Sequence, residues 1–298
     1  MVRQLCSSHC GWSIGSCWTR SWICLEACRI RQKLESLALK NLVLEGLYAG
    51  AIADAKLRES NHSLALVEKL ALESPASLNA LNFLAPAEHI KVLAEVKRAS
   101  PSKGHLAEIS NPAELAHNYA MSGASTISVL TEGHKFKGSL DDLRAVRARV
   151  SVPVLRKDFI ATEYQVLEAR AAGADLVLLI VAGLAAKKLE RLKSLIEDLG
   201  MTAFVETHSA DEVRFAVDID TKLLGVNARD LSTFETDRNL FGSLTHLIPS
   251  GVIKVAESAV RTVDDVRHYR EAGADVALIG EALVTGNPAE LLKQFTSI

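Results

Sequence analysis

The chain has 298 residues, with 34 Lys and Arg against 36 Asp and Glu and 48% hydrophobic residues. That length and apolar content suit one large α/β domain or two small ones, and the balanced charge gives no basic footprint for nucleic acid. No apolar run reaches the roughly 18 residues of a membrane span, the longest being strand-sized, such as Leu176 to Ala182, so a soluble protein with no membrane partner is expected.

The first stretch differs from the rest. All the cysteines (Cys6, Cys10, Cys17, Cys24 and Cys28) and all the tryptophans (Trp12, Trp18 and Trp22) lie before residue 30. This shift separates an N-terminal extension, 1–30, from a domain over 31–298. A metal- or disulfide-binding appendage, a targeting peptide and an irrelevant upstream extension compete as explanations. The spacing lacks paired C-x-x-C hooks and adds only His9 as a further ligand, which argues against a metal site. Polar Ser, Cys and Arg interrupt every apolar run that a signal peptide would need. A poorly ordered extension is the favoured expectation. The cysteine-free remainder suits a reducing, cytoplasmic setting.

From Leu44 the apolar positions Leu44, Leu47, Tyr48, Ala51, Ile52 and Ala55 follow helical spacing despite Gly46 and Gly50. A second helix is predicted from Ser63 to Glu73, and Pro75 and Pro86 punctuate the approach to the first strand. The two helices precede any strand, so they are expected to cover one end of the domain that follows.

The stretch from Val92 to Gly104 passes from apolar strand to polar loop within a few residues. Period-2 alternation puts Glu95 and Lys97 on the same side of that strand. Ser100-Pro101-Ser102-Lys103-Gly104 then supplies hydroxyls, a fixed φ and a permissive Gly, the composition of a loop at a small-molecule site.

Beyond it one unit recurs: a helical segment closes on Gly and a short apolar run follows. Gly123 precedes Thr126–Leu130, Gly173 precedes Leu176–Ile180, Gly200 precedes Thr202–Glu206, and Gly273 precedes Val276–Ile279. Gly suits a left-handed helix C-cap, and continuous apolar strands suit a parallel sheet covered by helices. Eight strands are predicted: Lys91–Lys97, Ser125–Leu130, Val154–Lys157, Leu176–Val181, Thr202–Glu206, Leu223–Asn227, Val252–Glu257 and Val276–Ile279. Their alternation with about as many helices predicts an α/β fold, a (β/α)8 TIM barrel, over an open Rossmann-like sheet. No G-x-G-x-x-G follows any strand and no P-loop is present.

Chemistry in such a barrel sits at the C-terminal ends of the strands. Strand 1 ends on Glu95 and Lys97, strand 3 on Lys157 and Asp158, strand 5 on Glu206, strand 6 on Asn227 with Arg229 just after, and strand 7 on Glu257 and Ser258. One such charge reads as a structural ion pair. A converging set of carboxylates and ammoniums reads as a site, because isolated buried charges are costly and neighbours perturb one another's pKa. Strands 7 and 8 lead into Glu257-Ser258-Ala259 and Gly280-Glu281-Ala282, the loops where many barrels hold phosphate. A short helix from Gly280 would aim backbone N–H groups at the anion, with Ser258 adding a hydroxyl. A phosphorylated small molecule is the expected partner; no nucleotide or metal motif competes.

These residues carry a family resemblance. Glu95-Val96-Lys97-Arg98-Ala99-Ser100-Pro101-Ser102-Lys103-Gly104 resembles the signature of the indole-3-glycerol-phosphate synthases, barrels of tryptophan biosynthesis. Further matches are Ser128-Val129-Leu130-Thr131-Glu132, Phe136 with Gly138-Ser139, Leu155-Arg156-Lys157-Asp158-Phe159-Ile160, Val205-Glu206-Thr207-His208, Gly225-Val226-Asn227-Ala228-Arg229-Asp230-Leu231 and Ala256-Glu257-Ser258. The resemblance runs from about residue 40 to the C-terminus and is dense beyond residue 90.

It implies closure of 1-(2-carboxyphenylamino)-1-deoxyribulose 5-phosphate to indole-3-glycerol phosphate, a carboxy-lyase reaction with loss of carbon dioxide and water and no cofactor. By resemblance Lys157 is the general acid, Glu206 the general base and Glu95 a helper in proton transfer. Lys97, Ser100 and Asn227 meet the anthranilate carboxylate, and Arg229 holds Glu206 or a substrate hydroxyl. Phe136 lies against the anthranilate ring, and Glu257 joins the substrate-binding groups. Ser258 and the backbone at Ala259, Gly280 and Glu281 bind phosphate. The family usually has Gly where Ala259 stands, a strained exchange if that position needs φ > 0.

Two other functions were open to the sequence. Phosphoribosylanthranilate isomerase is disfavoured because its acid–base pair includes a Cys near the first strand, and this barrel has none. A non-catalytic phosphate-ligand-binding barrel, acting as a partner in a tryptophan-pathway complex, is disfavoured by the presence together of Glu95, Lys157, Glu206 and Asn227. The expected assembly is a monomer or weak homo-oligomer.

Overall fold

A computed structural model describes residues 43–230 and 233–298. The expected extension over 1–30 lies outside the described residues. Eight parallel strands close into a barrel: β1 (Lys91–Val96), β2 (Thr126–Leu130), β3 (Val154–Lys157), β4 (Leu176–Ile180), β5 (Thr202–Thr207), β6 (Leu223–Asn227), β7 (Ile253–Glu257) and β8 (Val276–Ile279). Each pairs with its sequence neighbours, and β1 closes on β8 with Lys91 opposite Val276. The predicted bounds agree to within a residue or so.

The segment before β1 serves both ends of the barrel. Helix α1, described over 43–61, packs Leu44, Tyr48 and Ala51 against the inner core, and Tyr48 meets Phe159 edge-on at 5.6 Å. Helix α2 (Leu64–Glu73) lays Val67 and Ala71 on Tyr164 and Leu167. Helix α3 (Ala80–Leu84) buries Ala80 and Leu84 in the inner core. The Leu78 N–H donates to Asp175 at the foot of β4, 2.7 Å away, which sets this segment under the N-terminal ends. No helix among the described residues is long and apolar enough to cross a membrane.

Helices α4 (Pro112–Met121), α5 (Leu140–Arg149), α6 (Glu163–Ala171), α7 (Ala186–Asp198), α8 (Ala210–Asp218), α9 (Leu240–Leu244), α10 (Val263–Glu271), α11 (Glu281–Thr285) and α12 (Pro288–Phe295) surround the barrel. Side-chain caps start many of them, for instance Thr162 and Gln165 in a reciprocal capping box on α6. Gly123, Gly173, Gly200 and Gly273, with φ between 78° and 109°, turn the chain back into a strand as their spacing predicted.

The two-residue period of the strands separates two cores. Val92, Ala94 and Val96 of β1, Ala203 and Val205 of β5 and Leu224 and Val226 of β6 face outward and pack under the helices. Leu93, Leu155, Leu178, Phe204, Leu223, Val255 and Leu278 fill the barrel interior. The same parity carries Glu95, Lys157, Glu206, Asn227 and Glu257 inward at the top of the barrel, one step beyond the apolar layers.

Candidate active site

The pocket at the C-terminal mouth is lined by Glu95, Lys97, Lys157, Glu206, Asn227, Glu257 and Gly280 from the strand ends. Its surroundings are divided by the barrel order. Leu130, Phe136, Phe159, Leu178 and Ile180, from β2, β3, β4 and the turns after them, make an apolar side, joined by Leu47 of α1. Lys97, Ser100, Arg229, Ser258 and Glu281, from the chain after β1, β6, β7 and β8, make a polar side. Glu206 on β5 lies at the junction of the two sides, and Lys157 rises from β3 within the apolar side to reach it.

Lys157 Nζ donates to Glu257 Oε2 at 2.9 Å and to Glu206 Oε2 at 3.4 Å. Burial works against its charge, but the carboxylates of Glu257, Glu206 and Glu95 outweigh that effect and hold the ammonium above the usual lysine range. Burial also opposes the charge on Glu206, yet Lys157, His208 and the Asn227 amide keep its carboxyl well below the usual range. Glu257 takes the opposite course: burial, then the charge on Glu206, pushes its carboxyl up to about 8 against the pull of Lys157. Two buried carboxyls around one ammonium do not share its charge equally, and the pair titrates together with Glu206 the more acidic.

Gly225 makes room for this cluster. A Cβ there would overlap Glu257 Oε1 and sit within 3 Å of the Phe204 ring. Gly280 does the same on β1's side, where a Cβ would lie 2.5 Å from Glu95 Oε1. Glu95 is almost fully buried and pairs with Lys97 at 2.6 Å, as the alternation predicted.

Asn227 ties three elements together. Its Nδ2 donates to Glu206 Oε1 at 3.0 Å, and its Oδ1 accepts from Ser258 Oγ at 2.8 Å and from the Arg229 N–H at 3.0 Å. Arg229 does not pair with Glu206, contrary to the first of its two expected roles. Its guanidinium reaches the Phe234 carbonyl at 2.9 Å and Ser102 Oγ at 3.3 Å, because the chain has already turned out of the barrel beyond β6.

The segment after β1, read from sequence as a loop, is a small antiparallel ribbon pairing Ala99–Ser100 with Gly104–His105. It arches over the mouth through Arg229 to Ser102 and through an ion pair between Lys103 and Glu281. Phe136 is set by Glu132, whose buried carboxylate accepts the N–H groups of His134, Lys135 and Phe136 at 2.7 to 2.9 Å. The Phe136 ring lies 6.2 Å from that of Phe159.

At the expected phosphate loops, Gly280 caps α11 and Ser258 and Ala259 have φ of 69° and 58°. Ala259 therefore occupies the left-handed region in which a Cβ is strained. It borders a recess shared with Lys97, Arg229, Arg238, Arg261 and Glu281. Among the described residues, no group of three or more His, Cys, Asp or Glu could hold a metal ion.

Two features were missed by reading strand ends alone. Arg156, fully buried, bridges Asp158 at 3.0 Å and Glu168 at 3.4 Å, and Glu168 also holds Arg58 of α1. Asp158 is thereby fixed under Thr131, with its other oxygen on the Phe159 N–H, so it braces the apolar side. His208, two residues after Glu206, stands 3.3 Å from the Glu206 carboxylate. The alternation that paired Glu95 with Lys97 also puts residue 208 on the side of residue 206.

Comparison with known proteins agrees with this geometry. The family description "Indole-3-glycerol phosphate synthase" matches residues 44–295. A protein of that name from Leifsonia xyli subsp. xyli is 59% identical over 256 residues, covering 86% of this chain and 98% of its own length. Another, from Beutenbergia cavernae, is 53% identical over 247 residues, covering 83% and 92%. Among solved structures, thiamine phosphate pyrophosphorylase from Pyrococcus furiosus superposes with a TM-score of 0.55 at 14% identity, over 74% of this chain and 96% of that one, a likeness of fold alone. With a family match spanning nearly all the described residues and relatives this similar, the chain belongs to the indole-3-glycerol phosphate synthase family.

Proposed function

We propose that the mouth pocket closes the indole ring of 1-(2-carboxyphenylamino)-1-deoxyribulose 5-phosphate, with Lys157 as general acid and Glu206 as general base. The observation that carries this assignment is a lysine and a glutamate in contact within one pocket that has an apolar and a polar side. The anthranilate ring fits the side of Phe136, Phe159 and Leu178. The phosphorylated chain fits the side of Ser258, Ala259, Gly280 and Glu281. Lys97 and Ser100 meet the anthranilate carboxylate, while Asn227 holds Glu206 and Ser258 in register. Anchoring both anionic ends sets the ribulose carbonyl over the ring carbon, so binding goes into orientation.

The ring carbon bearing the carboxylate attacks the ribulose carbonyl, forming the new C–C bond as Lys157 delivers a proton to the developing alkoxide. The C–C bond to the carboxylate then breaks, carbon dioxide leaves, and its electron pair restores the ring. Lys157 regains a proton from solvent and passes it to the new hydroxyl, which departs as water, and Glu206 takes the ring-carbon proton whose loss completes the indole. Lys157 must therefore be protonated and Glu206 ionised at the same pH, the states their neighbours favour. Glu95, paired with Lys97, keeps a second ammonium beside the site.

Indole fluorescence on addition of the substrate tests the assignment. Wild-type protein turns over, and Lys157→Met and Glu206→Gln fall at least about 10²-fold, the scale of a lost acid or base. Turnover undiminished in both variants would remove the assigned roles. Phosphate-ligand binding with no wild-type turnover would favour the non-catalytic binding barrel.

A further inference from the structure

His208 follows β5 and is folded back beside its end, with only 11% of its side chain exposed. Its Nε2 lies 3.3 Å from Glu206 Oε1, and its Nδ1 lies 3.4 Å from Glu212 Oε2 on α8. Neither ring nitrogen completes a hydrogen bond of normal geometry, so both contacts are ionic ones held by packing. Glu212 is itself fixed, accepting the His208 N–H at 2.8 Å and pairing with the Ser209 cap of α8. A buried imidazole with a carboxylate on each edge has no apolar purpose at this place.

We propose that His208 is a positioning residue for the base: as an imidazolium clamped between Glu206 and Glu212, it holds Glu206 Oε1 and leaves Oε2 toward Lys157 and the pocket. Asn227 Nδ2 donates to the same Oε1 from β6, so one hydrogen bond and one ion pair hold one oxygen of the carboxylate and free the other. The inference rests on Glu206 being the base.

The surroundings favour the charged ring. Burial opposes it, but Glu206 and Glu212 raise the imidazole to about 9. The recess beside it also carries Arg229, Asp230, Glu235 and Asp237 from the segment after β6, an excess of acidic groups, whereas Leu44 of α1 and Ala182 after β4 bring no charge. The imidazolium in turn favours the ionised Glu206 carboxylate.

The test is kcat and KM for wild type, His208→Ala, His208→Gln and Glu206→Gln. In His208→Ala, kcat falls about tenfold with KM within about twofold. In His208→Gln, a neutral amide replaces the ring edge that faces Oε1, so most of kcat returns. Wild-type kcat in His208→Ala, or a loss confined to KM, overturns the proposal. If Glu206→Gln abolishes turnover while His208→Ala keeps the wild-type kcat, the base assignment survives and only the role of His208 falls. If Glu206→Gln turns over normally, both fall together. Should the variants not fold, the ring nitrogens of wild-type His208 followed by NMR decide the same question. An imidazolium that persists beyond about pH 8 supports the clamp, and titration at or below the ordinary histidine value near 6.5 overturns it.

Discussion

Glu257 shows how one residue sets the state of its neighbours. Its carboxyl is pushed up to about 8 from an ordinary value of 4.5 by burial and by Glu206. Between those two pH values the fold holds a proton that the unfolded chain has released, so the stability this group contributes is complete below the window and lost as pH rises through it. Glu257→Gln keeps an acceptor for Lys157 and cannot ionise. Thermal melts at pH 5 and pH 8 should therefore show the variant gaining on wild type as pH rises, and an equal difference at both pH values would contradict the shift. The inward parity of Glu95, Lys157, Glu206 and Glu257 was legible because a strand's period of two needs only a start and an end to be read. The partner of Glu206 was not. Arg229 is two residues beyond β6, where the backbone has left the sheet, and its guanidinium went to Phe234 and Ser102 instead. The parity rule would have found His208 had it been carried one step past Glu206.

At the scale of elements, α1 is locked to the mouth by a close approach rather than by charge alone. Gly183, just after β4, lies against the Tyr48 ring, and a Cβ there would overlap Tyr48 Cε2. Tyr48 is buried and pinned by Phe159, so it has little room to yield. Gly183→Ala should cost about 1–3 kcal/mol by overpacking and raise KM, since Leu47 of the same helix lines the pocket. Melting and steady-state kinetics check this, and wild-type values for both would show that α1 adapts freely. The helical spacing from Leu44 to Ala55 made α1 predictable, but nothing local announced its contact at Gly183. The ion pairs Arg58–Glu168–Arg156–Asp158 were hidden for the same reason, as Arg58 and Glu168 are 110 positions apart. The ribbon after β1 escaped notice because two-residue strands are too short to show alternation.

Across the whole molecule, the barrel converts a repeated unit into a single polarised site. The parallel strands all point the same way, four of them entered from a Gly-capped helix, so every strand end reaches one rim, where the apolar lining comes mainly from β2 to β4 and the polar lining mainly from the chain after β1, β6, β7 and β8. That grouping is legible once eight strands are counted, which is why the fold and the pocket's rim followed from the chain. What spacing leaves open is how the two catalytic groups divide the steps, since they lie in contact with each other.

That division is the central claim, and carbon dioxide release measured beside indole formation in a single turnover tests it most directly. If Lys157 drives ring closure and Glu206 acts in the later dehydration, Glu206→Gln should release close to one equivalent of carbon dioxide per site while indole fluorescence stays near background, and Lys157→Met should give neither. Indole formed by Glu206→Gln at the wild-type rate, or carbon dioxide released normally by Lys157→Met, would contradict the assignment.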